Sequence, residues 1–232
     1  MMHMQNSGVM GRFYVIADWV YKFSFANIIW MVCNIPIIFI LVNLLLADEI
    51  AVILVLFGMM LLLSPFMFFP STVALFAIVN QFIQKEDVKL LSDFWGYYRR
   101  NYKKSMKIGV IFTIFWTVLI IDFFYMMRLG NVIMQYVFIV LGFFAFVYNL
   151  HVCSGAIYID AKMRDLFKQV AVIMFGHPIL SMSLGLISLT FLYLITQWLT
   201  FLLPLFLGSI LVFLALLVFM KIHPSSLKLE KH

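Results

Sequence analysis

Two histidines carry the clearest chance of chemistry in a sequence that is otherwise mostly apolar. His151 stands nine residues before Asp160, and His177 stands nine residues after Lys168. On adjacent antiparallel helices rising about 1.5 Å per residue, both rings would lie roughly 13 Å from those charges, at a common depth. With Asn149 and Cys153 beside His151, such a pair can make a polar cluster, a soft metal site or a proton-sensitive contact. The spacing also argues against it. Asn149, His151 and Cys153 step by two, about 200° around a helix, so only some of them face one partner. A neutral histidine donating a single interhelical hydrogen bond accounts for the same residues.

A second group lies at residues 92–107, where Trp95, Tyr98, Arg99, Arg100, Tyr102, Lys103 and Lys104 mix aromatic rings with cations. Leu91, Phe94, Trp95, Tyr98, Tyr102 and Met106 recur at three- and four-residue steps, and the cations fall on other faces. That pattern predicts an amphipathic helix on the membrane surface, its rings at headgroup depth and its cations toward phosphates. Arginine and tyrosine together also make the kind of face a partner protein grips. Asn27, Asn34 and Asn43 form a third, weaker group in the first apolar run, adequately explained by interhelical hydrogen bonds.

What is missing narrows the chemistry. No Asp, Glu, Lys or Arg falls at the centre of an apolar run, and Asp122 sits near the end of its run. Catalysis and ion-coupled transport both rely on such buried groups. There is no P-loop, no dinucleotide fingerprint and no His-Glu-x-x-His. The expectation is a protein that is not an enzyme and takes no metal or cofactor.

The elements that hold these residues are membrane spans. With 65% hydrophobic and 11% charged residues and a mean hydropathy of +1.08, the chain has too little polar surface to coat a soluble globule. A hydrocarbon core of roughly 30 Å takes about 20 helical residues. Measured against that length, the uncharged runs give six spans in one all-α polytopic bundle, at about 23–47, 50–80, 108–127, 132–159, 170–196 and 199–220. The cations divide into alternate packets. These are Arg12 and Lys22; Lys85, Lys89, Arg99, Arg100, Lys103, Lys104 and Lys107; Lys162, Arg164 and Lys168; Lys221, Lys228 and Lys231. Six spans place these fifteen of the sixteen on one side and leave Arg128 alone on the other. Basic loops stay cytoplasmic, so both termini and the 92–107 helix are expected in the cytoplasm. A five-span reading moves three more cations outside and is rejected.

Prolines punctuate the spans: Pro36 in the first, Pro65 and Pro70 in the second, Pro178 in the fifth and Pro204 in the sixth. Each removes an N–H and frees a carbonyl that must be satisfied elsewhere. The stretch from Ser64 to Thr72 is the most disrupted. It marks either a packing kink or a break of the sort that lines a substrate site. The N-terminal apolar run is too long for a cleavable signal. Cys33 and Cys153 both fall inside spans, which argues against a disulfide framework. The net charge of +6 and pI of 9.3 follow from the one-sided cations, so the counter-charge is anionic lipid and not nucleic acid.

Three segments resemble the YesL-like family of bacterial integral membrane proteins. They carry Asn27, Trp30 and Pro36; Pro70, Ser71, Thr72, Ala74, Leu75 and Phe76; and Phe94, Trp95, Asn101, Tyr102 and Lys103, with Pro204 also fitting. One departure stands out. The family often has a basic residue soon after the Ala-Leu-Phe block, whereas this chain has Asn80 and Gln81 and no cation until Lys85. Genes of that family tend to lie beside those of carbohydrate ABC transporters, and no catalytic residue carries over. The resemblance implies a multi-pass protein of the bacterial cytoplasmic membrane, auxiliary to a carbohydrate ABC transporter, with that transporter's permease subunits as partners. The alternatives are a stand-alone small-solute transporter built around the Pro-broken second span and, least favoured, an intramembrane enzyme.

Overall fold

In lipid a backbone has no water to bond to, so apolar runs of this length must close their hydrogen bonds within the segment as helices. The computed structural model describes residues 9–84 and 88–223. Lys85, Lys228, Lys231 and the side chain of Arg12, all assigned above to the basic side, lie outside the described residues. The protein is an all-α polytopic bundle. Its helices are α1 (Val9–Cys33), α2 (Ile35–Leu45), α3 (Ile50–Leu63), α4 (Phe68–Gln84), α5 (Leu90–Arg128), α6 (Val132–Tyr158), α7 (Met163–Gly176), α8 (Pro178–Gln197) and, after a short 3-10 turn at Thr200–Leu202, α9 (Leu203–Ile222). Five of these are long and apolar enough to cross a bilayer, and the pair α3 and α4, bent by 47° at its break, brings the number to six if it is counted as one broken span.

The prolines set most of the breaks. Asn34 separates α1 from α2, with Pro36 in the first turn of α2. Ser64 to Met67 separates α3 from α4, with Pro65 inside the turn and Pro70 in the first turn of α4. There the ladder widens, since the Ser64 carbonyl accepts from both Phe68 and Phe69. Pro178 opens α8 and Pro204 lies in the first turn of α9.

Packing is uneven along the second span. α4 is the hub, in contact with α1, α5, α6 and α9, and 12 of its 17 residues are buried. α3 has no buried residue and packs chiefly on α2. α2 and α3 therefore form a hairpin joined to the bundle through the two breaks.

Three findings refine the sequence reading. The 92–107 segment is helical and amphipathic as expected, but no turn separates it from span three. α5 is one rod of 39 residues, about 58 Å long at ~1.5 Å per residue, so its first half extends well beyond a core of roughly 30 Å. The 170–196 span starts later than expected, because α7 ends at Gly176 and His177 and Pro178 begin a new helix. The chain segments next to the basic packets also gather at one end. Phe23 packs on Phe82 and Phe213, Tyr158 on Phe219, and Phe219 on His223.

Candidate functional site

The polar side chains of this bundle converge where its helices are broken. Asn27 of α1 is fully buried against α9. Its amide nitrogen donates to the Pro204 carbonyl at 2.7 Å, and its oxygen accepts from the Gly208 and Ser209 amides at 2.8 and 3.1 Å. One side chain thus bridges a carbonyl and the N–H groups four and five residues on, binding α1 into the ladder of α9 just after its proline. The approach needs a glycine: a Cβ at Gly208 would lie 3.0 Å from both Asn27 Oδ1 and Leu75 Cδ2.

One and two turns further along α1, Trp30 Nε1 donates to Thr72 Oγ1 at 3.1 Å and Asn34 Nδ2 donates to Ser71 Oγ at 2.8 Å. Ser71 in turn donates to Met67 and Phe68 carbonyls at the α3/α4 break. The Asn-x-x-Trp and Pro-Ser-Thr motifs are therefore two sides of one seam between α1 and α4. Asn34 Oδ1 stays buried without a partner among the described residues. Asn43, by contrast, only bonds back to Phe39 in its own helix.

Carbonyls freed by proline are met in the same way. Pro70 leaves the Phe66 carbonyl without its helical donor, and the Tyr98 hydroxyl approaches it to 3.5 Å, the outer limit of a hydrogen bond. Pro178 leaves the Met174 carbonyl, and Ser181 Oγ donates to it at 3.2 Å. His151 Nε2 lies 3.1 Å from the same Ser181 oxygen. With the serine proton committed to Met174, Nε2 must carry the histidine proton, and Nδ1 is left buried without a partner. The partner of His151 is therefore Ser181, while the side chain of His177 is exposed at the α7/α8 break. The two histidines that the spacing set at one depth are therefore not partners, and the bond His151 makes goes to a serine one turn beyond His177. No three His, Cys, Asp or Glu residues among those described are placed to share a metal ion.

The basic segment sorts itself into three faces. Phe94, Ser105, Ile108 and Gly109 turn inward. Trp95, Tyr98 and Tyr102 form a continuous row of rings, the first pair edge-to-face and the second tilted, with centroids 5.3 and 5.6 Å apart. Arg99, Arg100, Lys103 and Lys107 are exposed, and the Arg100 guanidinium sits 4.6 Å over the Tyr97 ring. Lys104 departs from the expected surface role. Its ammonium donates to the Ala156 and Ile159 carbonyls at 2.9 and 2.8 Å, capping the C-terminus of α6, where free carbonyls and the helix dipole both favour a cation.

Sequence reasoning missed three partners here. Gln81 Nε2 donates to Tyr97 Oη at 3.0 Å, and the Tyr158 hydroxyl donates to Asn80 Oδ1. These are the two amides that stand where the family often has a cation, and each binds α4 to a neighbouring helix. Ser181 was the third. The only signal for it was its position three residues after Pro178.

Residues 23–123, from the seam in α1 through most of α5, match a family described as a protein of unknown function, DUF624. YesL-like proteins belong to DUF624, so the resemblance drawn from the three motif segments holds, and those segments make up the α1–α4–α5 part of the bundle. The chain is also similar to the uncharacterized protein YteU of Bacillus subtilis (strain 168), 23% identical over 194 residues, covering 80% of this chain and 76% of that protein. No solved structure matches the chain.

Proposed function

We propose that this DUF624 protein is a non-enzymatic auxiliary subunit of a carbohydrate ABC-transport system in a bacterial cytoplasmic membrane, its termini and the basic end of α5 in the cytoplasm. The observation that carries the reading is the extension of α5. A single rigid rod holds Trp95, Arg99, Arg100 and Lys103 exposed beyond the lipid core, anchored from behind by Phe94 and Ser105. A helix kept only as a membrane anchor has no need of that rigidity, whereas a face of tyrosine, tryptophan and arginine on a fixed support suits a protein partner. The carbohydrate system is suggested by the gene neighbourhood of YesL-like proteins. The polar side chains of the spans are engaged in mending helices, which supports a role without catalysis.

The test is affinity purification from native membranes. Permease subunits of a sugar ABC transporter should accompany the tagged wild-type protein and be lost from an Arg99→Glu, Lys103→Glu double variant that melts like wild type. Purification of the intact protein with no transporter subunit overturns the proposal.

The 47° bend between α3 and α4 is the observation that favours the second reading, a stand-alone transporter. Its test is uptake of a labelled sugar by vesicles holding the purified protein alone.

A further inference from the structure

Two apolar cavities share a wall. One is a groove of about 670 Å³ on the side of the bundle, where α5, α6 and α8 meet, with Ile139, Gly142 and Leu186 among its lining. The other, of about 340 Å³, lies among α1, α4, α6 and α9 and is lined by Trp30, Phe76, Asn149 and Leu211. Trp116, Phe146 and Leu192 line both, and so form a shared wall between them. Ile139 and Leu186 are exposed, which in a bilayer means that the groove faces lipid.

The inner cavity offers water almost nothing. Its polar residues are Thr72, which already accepts from Trp30, and Cys153, whose thiol bonds to Asn149 Oδ1 at 3.4 Å. That leaves the Thr72 hydroxyl proton and the amide nitrogen of Asn149, neither given an acceptor among the described residues. A buried water makes about three hydrogen bonds, and two donors cannot hold a cavity full of them. A void would forfeit the dispersion contacts of five aromatic side chains and several leucines. The molecules surrounding the groove are hydrocarbon chains.

We propose that the acyl chain of a bilayer lipid enters sideways through the groove, passes Trp116, Phe146 and Leu192, and occupies the inner cavity as far as Trp30. The protein thereby holds a lipid within the bundle, independently of any partner. Trp30 reports on this directly, because it lines the inner cavity and not the groove.

The experiment uses full-length protein in vesicles of phosphatidylcholine with bromine atoms midway along the acyl chains, compared with unbrominated vesicles. Bromine quenches indole emission on contact. Trp19, Trp95 and Trp198 are changed to phenylalanine, and the Trp30 emission is taken as the difference from the same protein with Trp30→Phe. The proposal expects Trp30 to lose most of its emission in brominated vesicles. It expects a Gly142→Phe plug to restore that emission, since the groove there is open, with the nearest atoms to an added Cβ 3.8 Å away. Leu192→Phe serves as a second plug from the opposite wall, and melting curves show that each variant is folded. Trp30 emission that is unchanged by bromine in the unplugged protein overturns the proposal. So does quenching that is equal in the unplugged protein and in a folded plugged variant, because the lipid would then reach Trp30 by another side.

Discussion

At the residue scale, two side chains of one type illustrate what position decides. Asn27 satisfies three backbone groups of another helix, while Asn43 satisfies one of its own. Interhelical hydrogen bonds in membrane proteins average roughly 0.6 kcal/mol each, so Asn27→Ala should lower stability by about 1–2 kcal/mol. Asn43→Ala should leave it unchanged. Thermal melting in detergent distinguishes them. The histidines behave in the same way. His151→Ala empties a buried site and strips Ser181 of its donor, a loss of about 2 kcal/mol or more, whereas His177→Ala at the exposed break should melt like wild type. Spacing alone found His151 and its correct partner helix. It chose the wrong partner residue because the proline that displaces the helix axis also hands a freed carbonyl to Ser181, and the consequence of a break for side-chain direction cannot be read from residue intervals.

At the element scale, α5 shows how far a sequence pattern can be trusted. The three- and four-residue periodicity gave the helix and set its rings apart from most of its cations, but not that Phe94 turns inward while Trp95 stays exposed. Its continuity with span three was not legible, because a helix that leaves the lipid carries no mark distinguishing it from one that bends along the surface. Glycines along the rod make a sharp test. A Cβ at Gly109 would fall 2.8 Å from Pro65 Cα and 2.9 Å from Phe69 Cβ, whereas one at Gly96 meets nothing within 4 Å. Gly109→Ala should therefore destabilise the protein, because backbone at the α3/α4 break must move. Gly96→Ala should stabilise it by up to about 1 kcal/mol through helix propensity. Adjacent lysines give a second contrast. Lys104→Met removes the cap of α6 and should lower the melting temperature, while Lys103→Met should not. Only the latter touches the face proposed above for a partner.

At the scale of the whole molecule, the all-α polytopic bundle was legible, because charge is excluded from lipid whatever the packing. Which helix forms the core was not. α3 is purely apolar yet unburied, while α4 carries Ser71, Thr72, Asn80 and Gln81 and is the hub. Lipid tails are as apolar as leucine, so hydropathy cannot distinguish a helix facing lipid from one facing protein, and the small polar residues were the better guide. The proposed orientation has a direct test. In cells expressing either Glu49→Cys or His232→Cys, in a background with Cys33 and Cys153 changed to serine, a membrane-impermeant maleimide should label position 49 and spare position 232. Equal labelling would overturn the six-crossing arrangement.

The α2–α3 hairpin has a mechanical consequence. It hangs from the bundle by two weakened points, Asn34 with Pro36 and the turn from Ser64 to Met67, and shares little packing with the remainder. Tilting it changes the hydrophobic height of the protein on that side without disturbing α4 or the seam beneath it. A bilayer thinner or thicker than the bundle prefers is thus accommodated by this arm first, leaving the rigid portion to keep one shape in membranes of different composition.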